Sequence, residues 1–386
     1  MNYTADEVLK YVREEDVKFI RLAFCDVTGK QKNLSVMPDE LPRVFEAGCP
    51  FYPASVRGYE GAGSLLLHPD PSTLSVLPWR PDHGRVVRMY STVTTPDGTP
   101  HPADTRSLLK SAVETAEKAG VRFRFGAQQT FYLFKLDGEG NPTKEPHDRA
   151  GYMDIAPEDR GENVRREICL TLEQMGIRPE SSCHEEGPGQ NKIDFRFSDA
   201  LEAADNAMTF RTVVRTAANR NGLAADFSPK PLEDAPGNGC HINFSVEPVS
   251  RSEEGDALSS ALAGILSEIA PMTLFFNPVE ASYLRLSGCP VTKIGWSDTD
   301  RSGLVWMRKG RAELRSPDPE TNPCLAFALL VQAGLKGIGA GLGLPEPGSV
   351  SGILPASLVE AVRAASSSAF IREVLPEVVR KAYGAE

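Results

Sequence analysis

Apolar and polar residues alternate over short stretches in the first hundred positions. The segment VKFIRLAFCDVTGKQKNLSV alternates on both sides of the turn DVTGK, as a β-hairpin does. Short strands and turns such as HPDPSTLSVLPW and TTPDGTPHP continue to about residue 100, where Pro and Gly cluster. A charged amphipathic helix, MNYTADEVLKYVREED, precedes them. The pattern therefore predicts a small β-rich domain with an N-terminal helix over residues 1–100.

Beyond Asp104 the chain takes on helical spacing interrupted by strands. DTRSLLKSAVETAEKAG has the period of a helix that ends at Gly120, and RFRFGAQQTFYLFK then reads as a strand. Strands are also predicted at QNKIDFRF, CHINFSVE and RAELRS, and helices near 161–176, 198–221, 255–275, 322–341 and 355–383. We therefore expect an α+β domain over residues 101–386, with an antiparallel sheet that carries the polar motifs.

Composition and charge narrow the classes of partner. The chain has 386 residues, of which 41% are hydrophobic and 24% charged, as in ordinary globular proteins. Its net charge of -10 argues against nucleic-acid binding, because that affinity comes chiefly from Lys and Arg. No apolar run reaches the roughly 18 residues that span a bilayer, and the first helix lacks the features of a signal peptide. The expectation is a cytoplasmic protein with no nucleic-acid or membrane partner.

The seven cysteines form no CxxC pair and no disulfide-like framework, which indicates reduced thiols. Most fit the role of small buried hydrophobic residues. Cys183 stands beside His184 in SSCHEEGPGQ, and a reactive role for this thiol remains open.

Eight segments in a fixed order resemble the glutamine synthetase family from about residue 15 to 386. They are LAFCDVTGKQKN, LHPDPSTLSVLPW, GAQQTFYLF, CHEEGPGQNKIDFRFSDALEAADN, PKPLEDAPGNGCHINFS, SYLRLSG, DRSG and RAELRSPDPETNPCLAFALLVQAGLKGI. The resemblance implies an N-terminal β-grasp domain and a catalytic domain whose antiparallel strands form half a funnel. It also implies a homo-oligomer of hexameric rings or a dodecamer, in which a neighbour's β-grasp domain completes each funnel.

The family activates the γ-carboxylate of glutamate with ATP and lets ammonia displace the phosphate, a reaction that needs divalent cations. The resemblance places the ligands of one metal ion at Thr130, Glu185 and Lys192, and those of the other at Gln128, His241 and Glu313. Glu185, His241 and Glu313 retain the family's residue types, so three of the six ligands remain.

The loss of negative charge at these positions is greater than the number of lost ligands suggests. Five family carboxylates are reduced to Glu185 and Glu313, and Lys192 adds a positive charge. Two divalent ions about 5 Å apart repel by roughly 10 kcal/mol at an effective dielectric of 20, and little negative charge is left to offset this. We therefore expect no two-metal cluster of the usual kind. A single Mg²⁺ or Mn²⁺ ion with ATP stays open, and Lys192 is expected to pair with Glu185 as a substitute cation.

Other family positions have changed as well. Tyr52 in FYPASVRGY replaces the Asp that helps to bind and deprotonate ammonium, and the flap segment RLSGCPVTK is short and has no Glu. Asn243 replaces a His beside the nucleotide, and Trp306 replaces an arginine.

The anion-binding arginines are largely retained. Arg285, Arg315 and Gly237 match contacts to the substrate glutamate, whereas Ser245, Arg301, Arg308 and Arg311 match contacts to nucleotide and phosphate. Lys192 and Arg301 are the candidates for a catalytic role. The alternative interpretation is structural. Glu185, His241 and Glu313 would then only form hydrogen bonds within the half-funnel, and the arginines would pair with acids such as Glu313 and Asp318.

Two functions follow from the sequence. The first is a catalytically degenerate member that keeps the ring assembly and an anion pocket, for sensing or for co-assembly with an active paralogue. The second is an ATP-dependent γ-glutamyl ligase that uses an amine other than ammonia. Fold does not decide function, so both remain open here.

Overall fold

The computed structural model describes residues 3–80, 83–249 and 257–386. Two compact units are found, Met1–Leu108 with Gln174–Gly176 and Leu109–Glu173 with Ile177–Glu386. Each unit is described by itself below.

The first unit is a β-grasp domain. Its helices and strands are α1 (Ala5–Glu14), β1 (Val17–Cys25), β2 (Gln31–Val36), α2 (Leu41–Ala47), β3 (Cys49–Phe51), β4 (Leu65–Pro69), β5 (Ser75–Val76) and β6 (Arg85–Thr94). Among the described residues the sheet runs in the order β2-β1-β6-β4-β3, with β5 on β6. The hairpin β1–β2 is antiparallel, as the alternation around DVTGK predicts, whereas β1 and β6 are parallel. Thr4 caps α1 in a capping box with Glu7.

The second unit is built on one large sheet. Its strands are β7 (Val121–Leu136), β8 (Pro142–Pro146), β9 (Pro179–His184), β10 (Gln190–Phe195), β11 (Ser198–Asp199), β12 (Leu223–Asp226), β13 (Cys240–Pro248), β14 (Lys293–Ile294), β15 (Trp296–Ser297), β16 (Val305–Arg308), β17 (Arg311–Leu314) and β18 (Gly352–Ile353). The order in the large sheet is β15-β16-β17-β13-β7-β10-β9, with β8, β11 and β12 on β7, whereas β14 and β18 pair with each other in a separate two-stranded sheet. The pairs along this order are antiparallel except β15–β16.

Helices lie between these strands along the chain, and the last three follow β18. They are α3 (Thr105–Lys118), α4 (Glu162–Gln174), α5 (Ala200–Arg220), α6 (Ala257–Phe276), α7 (Glu280–Leu286), α8 (Pro323–Gly339), α9 (Leu358–Ser367), α10 (Ala369–Val374) and α11 (Glu377–Ala382). The helix predicted over 355–383 is therefore wrong as a single element. Ser368 caps α10 by accepting a hydrogen bond from the backbone of Ile371, and Pro376 precedes α11. The predicted helix near 255–275 exists, although residues 255 and 256 lie outside the described residues.

Strand β7 separates the core from the polar face of the sheet. Its odd-numbered side chains, such as Phe123, Phe125 and Phe131, are buried, whereas Gln128 and Thr130 are partly accessible. Phe125 stacks on Phe327 of α8 with ring centroids 4.3 Å apart. The alternation thus places one set of side chains in the core against the helices and the other set on the accessible face of the sheet.

Close helix packing supports this core. A Cβ atom at Gly264 of α6 would lie 2.3 Å from the carbonyl oxygen of Ala333 in α8, so glycine is required there. Within the described ranges, α6 is the one helix long and apolar enough to cross a membrane, yet 67% of that window is buried in the unit. Such burial is typical of a core helix.

Candidate functional site

One face of the large sheet collects the polar positions that the sequence singles out. The strand register sets Lys192 opposite Thr130, and Gln128 opposite His241. Further along, Asn243 lies opposite Glu313, and Glu313 opposite Trp306. Residues directly opposite in antiparallel strands share a face. These side chains come from segments far apart in the chain, and the sheet brings them into one row.

His241 and Glu313 form the centre of this row. Nδ1 of His241 lies 2.9 Å from Oε1 of Gln128 and 3.1 Å from Oε1 of Glu313. Because an ionised carboxylate only accepts hydrogen bonds, Nδ1 carries the proton and shares it between the two acceptors. Burial is the main cause that lowers the pKa of His241, and the charge of Arg315 adds to it. His241 is therefore a neutral donor.

Glu313 is surrounded by cationic groups. Arg315 donates to its Oε1 at 2.6 Å, and Nη2 of Arg301 contacts Oε2 at 3.0 Å and Oε1 at 3.3 Å. Burial by itself would raise the pKa of Glu313, but the hydrogen bond from His241 and the charges of Arg301 and Arg315 outweigh it and lower the pKa. The carboxylate is ionised and already neutralised by side chains of this chain.

Glu185 and Lys192 form the second charged pair. Nζ of Lys192 lies 3.0 Å from Oε1 of Glu185, and only 14% and 17% of the two side chains are exposed. Burial lowers the pKa of Lys192, but Glu185 outweighs it and the net shift is upward. The pairing of Lys192 with Glu185 predicted from the sequence is therefore confirmed.

Thr130 forms a hydrogen bond with the backbone of the neighbouring loop. Its Oγ1 accepts a hydrogen bond of 2.8 Å from the backbone N–H of Gly239, just before β13. A threonine side chain thus stabilises the approach to His241 from a position where the resemblance expects a metal ligand.

Arg285 and Arg315 border a second group of residues at the end of the row. Arg285 donates to Oδ1 of Asn277 at 3.0 Å and also contacts the carbonyl of Ser316. A Cβ at Gly237 would lie 2.5 Å from Cγ of Arg285, so only glycine allows the arginine to pass there. The Nε atoms of both arginines are buried and have no hydrogen-bond partner among the described residues. Unpaired buried donors of this kind can receive an anion.

The nucleotide positions of the resemblance lie on β13, β16 and β17 and in the loop before β16. The Arg301 guanidinium lies over the Trp306 ring at 5.0 Å, and that of Arg308 lies 6.0 Å from the same ring. Arg311 lies over Phe197 at 5.3 Å, and the hydroxyl of Ser245 donates to Glu247 at 3.5 Å. This end of the face is basic and aromatic.

Comparison with known proteins gives these features a context. The glutamine synthetase catalytic domain model matches residues 102–385, and the glutamine synthetase beta-Grasp domain model matches residues 16–96. A glutamine synthetase of Methanosarcina mazei is 40% identical over 98% of this chain and 92% of its own length. That of Clostridium saccharobutylicum is 40% identical over 87% of this chain and 80% of its own. The chain belongs to the glutamine synthetase family.

Solved structures agree with this family. GmaS without ligand superposes with a TM-score of 0.88 at 26% identity, covering 100% of this chain and 94% of its own. A GmaS complex with ADP gives a TM-score of 0.87 at 27% identity, again over 100% of this chain and 94% of its own. The fold class expected from the sequence is confirmed.

The donor set does not fit the two-metal cluster of the glutamine synthetase family. The two carboxylates present, Glu185 and Glu313, are each held by cationic side chains at 3.0 Å or less. Gln128 and Thr130 supply neutral oxygen atoms that already take part in hydrogen bonds. A divalent ion at Glu185 would face the Lys192 ammonium at short range, an unfavourable Coulomb interaction. We therefore assign no step to a metal pair.

A buried ionic network beneath the site escaped the sequence analysis. Asp148 accepts from Nε2 of His184 at 2.8 Å, and Asp159 pairs with Arg165. Asp148, Asp159 and His184 are close enough to hold a metal ion, but the Asp159 carboxylate is already paired with Arg165. Nδ1 of His184 lies 2.7 Å from the carbonyl of Glu185, so the network fixes the backbone at Glu185. The sequence signal was Arg165, which stands at an apolar position of α4.

Two candidates remain, Tyr52 and Cys183. Tyr52 belongs to the β-grasp unit, and 76% of its surface is exposed. Cys183 lies opposite Lys192 across β9 and β10, and burial raises the pKa of its thiol. A raised pKa disfavours the reactive thiolate, which supports a packing role for Cys183.

Proposed function

We propose that this chain is a carboxylate–amine ligase of the glutamine synthetase family that acts on an amine other than ammonia. The observation that carries the proposal is the pair of unpaired, buried Nε atoms of Arg285 and Arg315. A buried donor without a partner costs about 1–3 kcal/mol. A carboxylate bound to the guanidinium groups of Arg285 and Arg315 would form charge-assisted hydrogen bonds with them. An amino-acid substrate such as glutamate offers that group.

The choice of amine rests on positions that have lost their acids. By resemblance, Tyr52 replaces the aspartate that binds ammonium, and the segment after Arg285 has no flap glutamate. A tyrosine ring offers apolar area to a substituted amine and no negative charge to a free ammonium ion. GmaS, which is similar over the whole chain, is a γ-glutamylmethylamide synthetase. These features together favour an alkylamine acceptor.

The direct test is a coupled assay of ADP release with glutamate, ATP and a panel of amines. Methylamine and longer alkylamines should give ADP release, whereas ammonia should give none above background. Arg285→Lys should raise the KM for glutamate, because a lysine cannot reproduce the guanidinium geometry. Arg122→Lys, at an exposed arginine of β7, serves as the matched control. Turnover with ammonia at the rate seen with alkylamines would contradict the choice of amine.

A second candidate is a non-catalytic member that binds an anion. The favouring observation is that both remaining carboxylates, Glu185 and Glu313, are engaged by cations of the chain. This function predicts glutamate binding by calorimetry with no ADP release for any amine. The panel therefore separates the two candidates, and any amine-dependent ADP release excludes the second.

We also propose the domain limits 1–100 and 101–386 and a ring-shaped homo-oligomer in the cytoplasm. Family members are generally oligomeric, which supports the assembly but leaves the ring size as a proposal. Light scattering on the purified protein tests it, and a stable monomer would contradict it.

A further inference from the structure

We propose that Lys192 and Arg301 supply, as fixed side-chain cations, the positive charge that divalent ions supply elsewhere in the family, so that nucleotide phosphates bind this face without a divalent cation. The inference rests on the proposed function, because it concerns the same face of the sheet. The residues at these positions do not suit a metal pair. Each family carboxylate that remains has a tethered cation where a metal ion would be needed.

Lys192 is the first of these cations. It lies on β10, opposite Thr130 of β7 and opposite Cys183 of the edge strand β9. Its ammonium has three N–H donors, and Oε1 of Glu185 at 3.0 Å takes one of them. Because the pair is largely buried, moving the ammonium away would leave the Glu185 carboxylate unpaired in a poorly solvated place. Donors remain for a ligand oxygen.

Arg301 is the second cation. Its two hydrogen bonds to Glu313 both come from Nη2. Nη1 and Nε therefore remain to meet a ligand, and 52% of the side chain is exposed. A guanidinium that binds a carboxylate at one edge and faces solvent at another is suited to bridge that carboxylate and a phosphate.

Trp306 is the positioning residue for Arg301. It lies opposite Glu313 across β16 and β17, and its ring lies under the Arg301 guanidinium at 5.0 Å. The negative face of an indole ring attracts a cation that lies over it. By resemblance an arginine stands here in the family. Exchange for tryptophan removes a repulsive charge and adds a surface that holds Arg301 beside Glu313.

The charge of the whole face agrees with a phosphate ligand. The carboxylates of this face are Glu185, Glu313, Asp194 and Glu247. The cationic residues are Lys192, Arg301, Arg308, Arg311 and Arg315. The three arginines Arg301, Arg308 and Arg311 lie in and just before β16 and β17, and this local group of positive charges favours a polyanion such as a nucleoside diphosphate.

The test is titration calorimetry of the purified protein with ADP, in EDTA and in MnCl₂. The Kd for ADP in EDTA should lie within about threefold of the Kd in MnCl₂, a small difference in binding free energy. ADP binding that depends on Mn²⁺, with EDTA weakening it by about thirtyfold or more, would overturn the inference.

Variants identify the cations. Lys192→Gln and Arg301→Gln should each weaken ADP binding in EDTA by about tenfold, the worth of one charge-assisted hydrogen bond. Lys381→Gln is the matched control, since it removes a lysine from an exposed pair with Glu377. Trp306→Phe should bind ADP nearly as the unchanged protein does, whereas Trp306→Ala should resemble Arg301→Gln. Circular dichroism confirms folding of each variant. Unchanged ADP affinity in folded Lys192→Gln and Arg301→Gln would overturn the assignment.

The outcomes separate this inference from the proposed function. If amines cause ADP release but ADP binding needs Mn²⁺, the tethered cations are wrong and the ligase stands. If ADP binds in EDTA but no amine causes ADP release, the tethered cations stand and the ligase is wrong. If ADP binds under neither condition, both are wrong.

Discussion

Replacing Lys192 with glutamate should destabilise the metal-free protein. The Lys192 and Glu185 side chains are 14% and 17% exposed, so the substitution would leave two carboxylates largely shielded from water where an ion pair now lies. Removing one partner of a buried pair costs about 3–5 kcal/mol. Because solvent still reaches part of this pair, we expect the lower end of that range.

The assay is thermal unfolding at one fixed protein concentration, since oligomers melt at temperatures that depend on concentration. One kcal/mol shifts Tm by about 2–4 °C in proteins of 150–250 residues, and the shift is smaller in longer chains, so about 2 °C per kcal/mol applies here. A loss of about 3 kcal/mol in Lys192→Glu should therefore lower Tm by about 6 °C in EDTA. Lys381→Glu is the control, because its pair with Glu377 is exposed and such pairs contribute about 1 kcal/mol or less.

Added Mn²⁺ should recover part of the loss in this variant. Carboxylates at positions 185 and 192 would form an oxygen donor pair for a hard cation. At about a hundred times its Kd, a ligand stabilises the folded state by about 2.7 kcal/mol. The unchanged protein should respond much less. If its Tm rises with Mn²⁺ as much as that of Lys192→Glu, Lys192 does not act as a cation substitute and this reasoning is refuted.

Further predictions concern the same face and its surroundings. Adding Gln128→Glu and Thr130→Glu to Lys192→Glu should give the largest Mn²⁺-dependent rise in Tm, and a smaller rise than in the single variant would count against the ligand assignment. Thr130→Val should cost about 1–2 kcal/mol by urea unfolding, because the N–H of Gly239 loses its acceptor, whereas Thr130→Ser should cost less. Burial raises the pKa of Asp318 from 3.8 to about 6. The folded state therefore holds more protons between these values, and stability should fall as pH rises from about 4 to about 6. Asp318→Asn should flatten that part of the curve, and an unchanged slope would contradict it. Finally, glutamate, ammonia and ATP should yield no glutamine above background by chromatography.

Local patterns were sufficient for some of the elements that build the site. The pattern of RFRFGAQQTFYLFK predicted the strand β7. Strand β9, PESSCH, was missed because its residues are polar and mostly accessible, so no alternation is visible. The breaks among α9, α10 and α11 had signals in Ser368 and Pro376, but a continuous apolar period masked them.

Pairings across the sheet were harder to predict than the strands themselves. The Lys192–Glu185 pair could be predicted because the two residues are close in sequence and Lys192 replaces a metal ligand that the family places with the retained Glu185. The contact of Asp148 with His184 spans 36 positions and depends on how the loop before α4 folds back. Likewise, nothing local to β16 indicates that Trp306 lies under Arg301. Such contacts depend on strand register, which one sequence leaves undetermined.

The distribution of unpaired polar atoms connects these substitutions to function. At the vacated metal positions every exchange has found a partner: Gln128 with His241, Thr130 with Gly239 and Lys192 with Glu185. In the described residues, buried atoms without partners lie around the arginines and also elsewhere on the sheet. Around the arginines they are Nε of Arg285, Nε of Arg315, Oδ2 of Asp318 and the hydroxyl of Tyr283, and Oδ1 of Asp194 on β10 is another. The exchanged metal positions are thus satisfied within the chain, whereas a ligand at the arginines would pair with groups that the chain itself leaves unpaired.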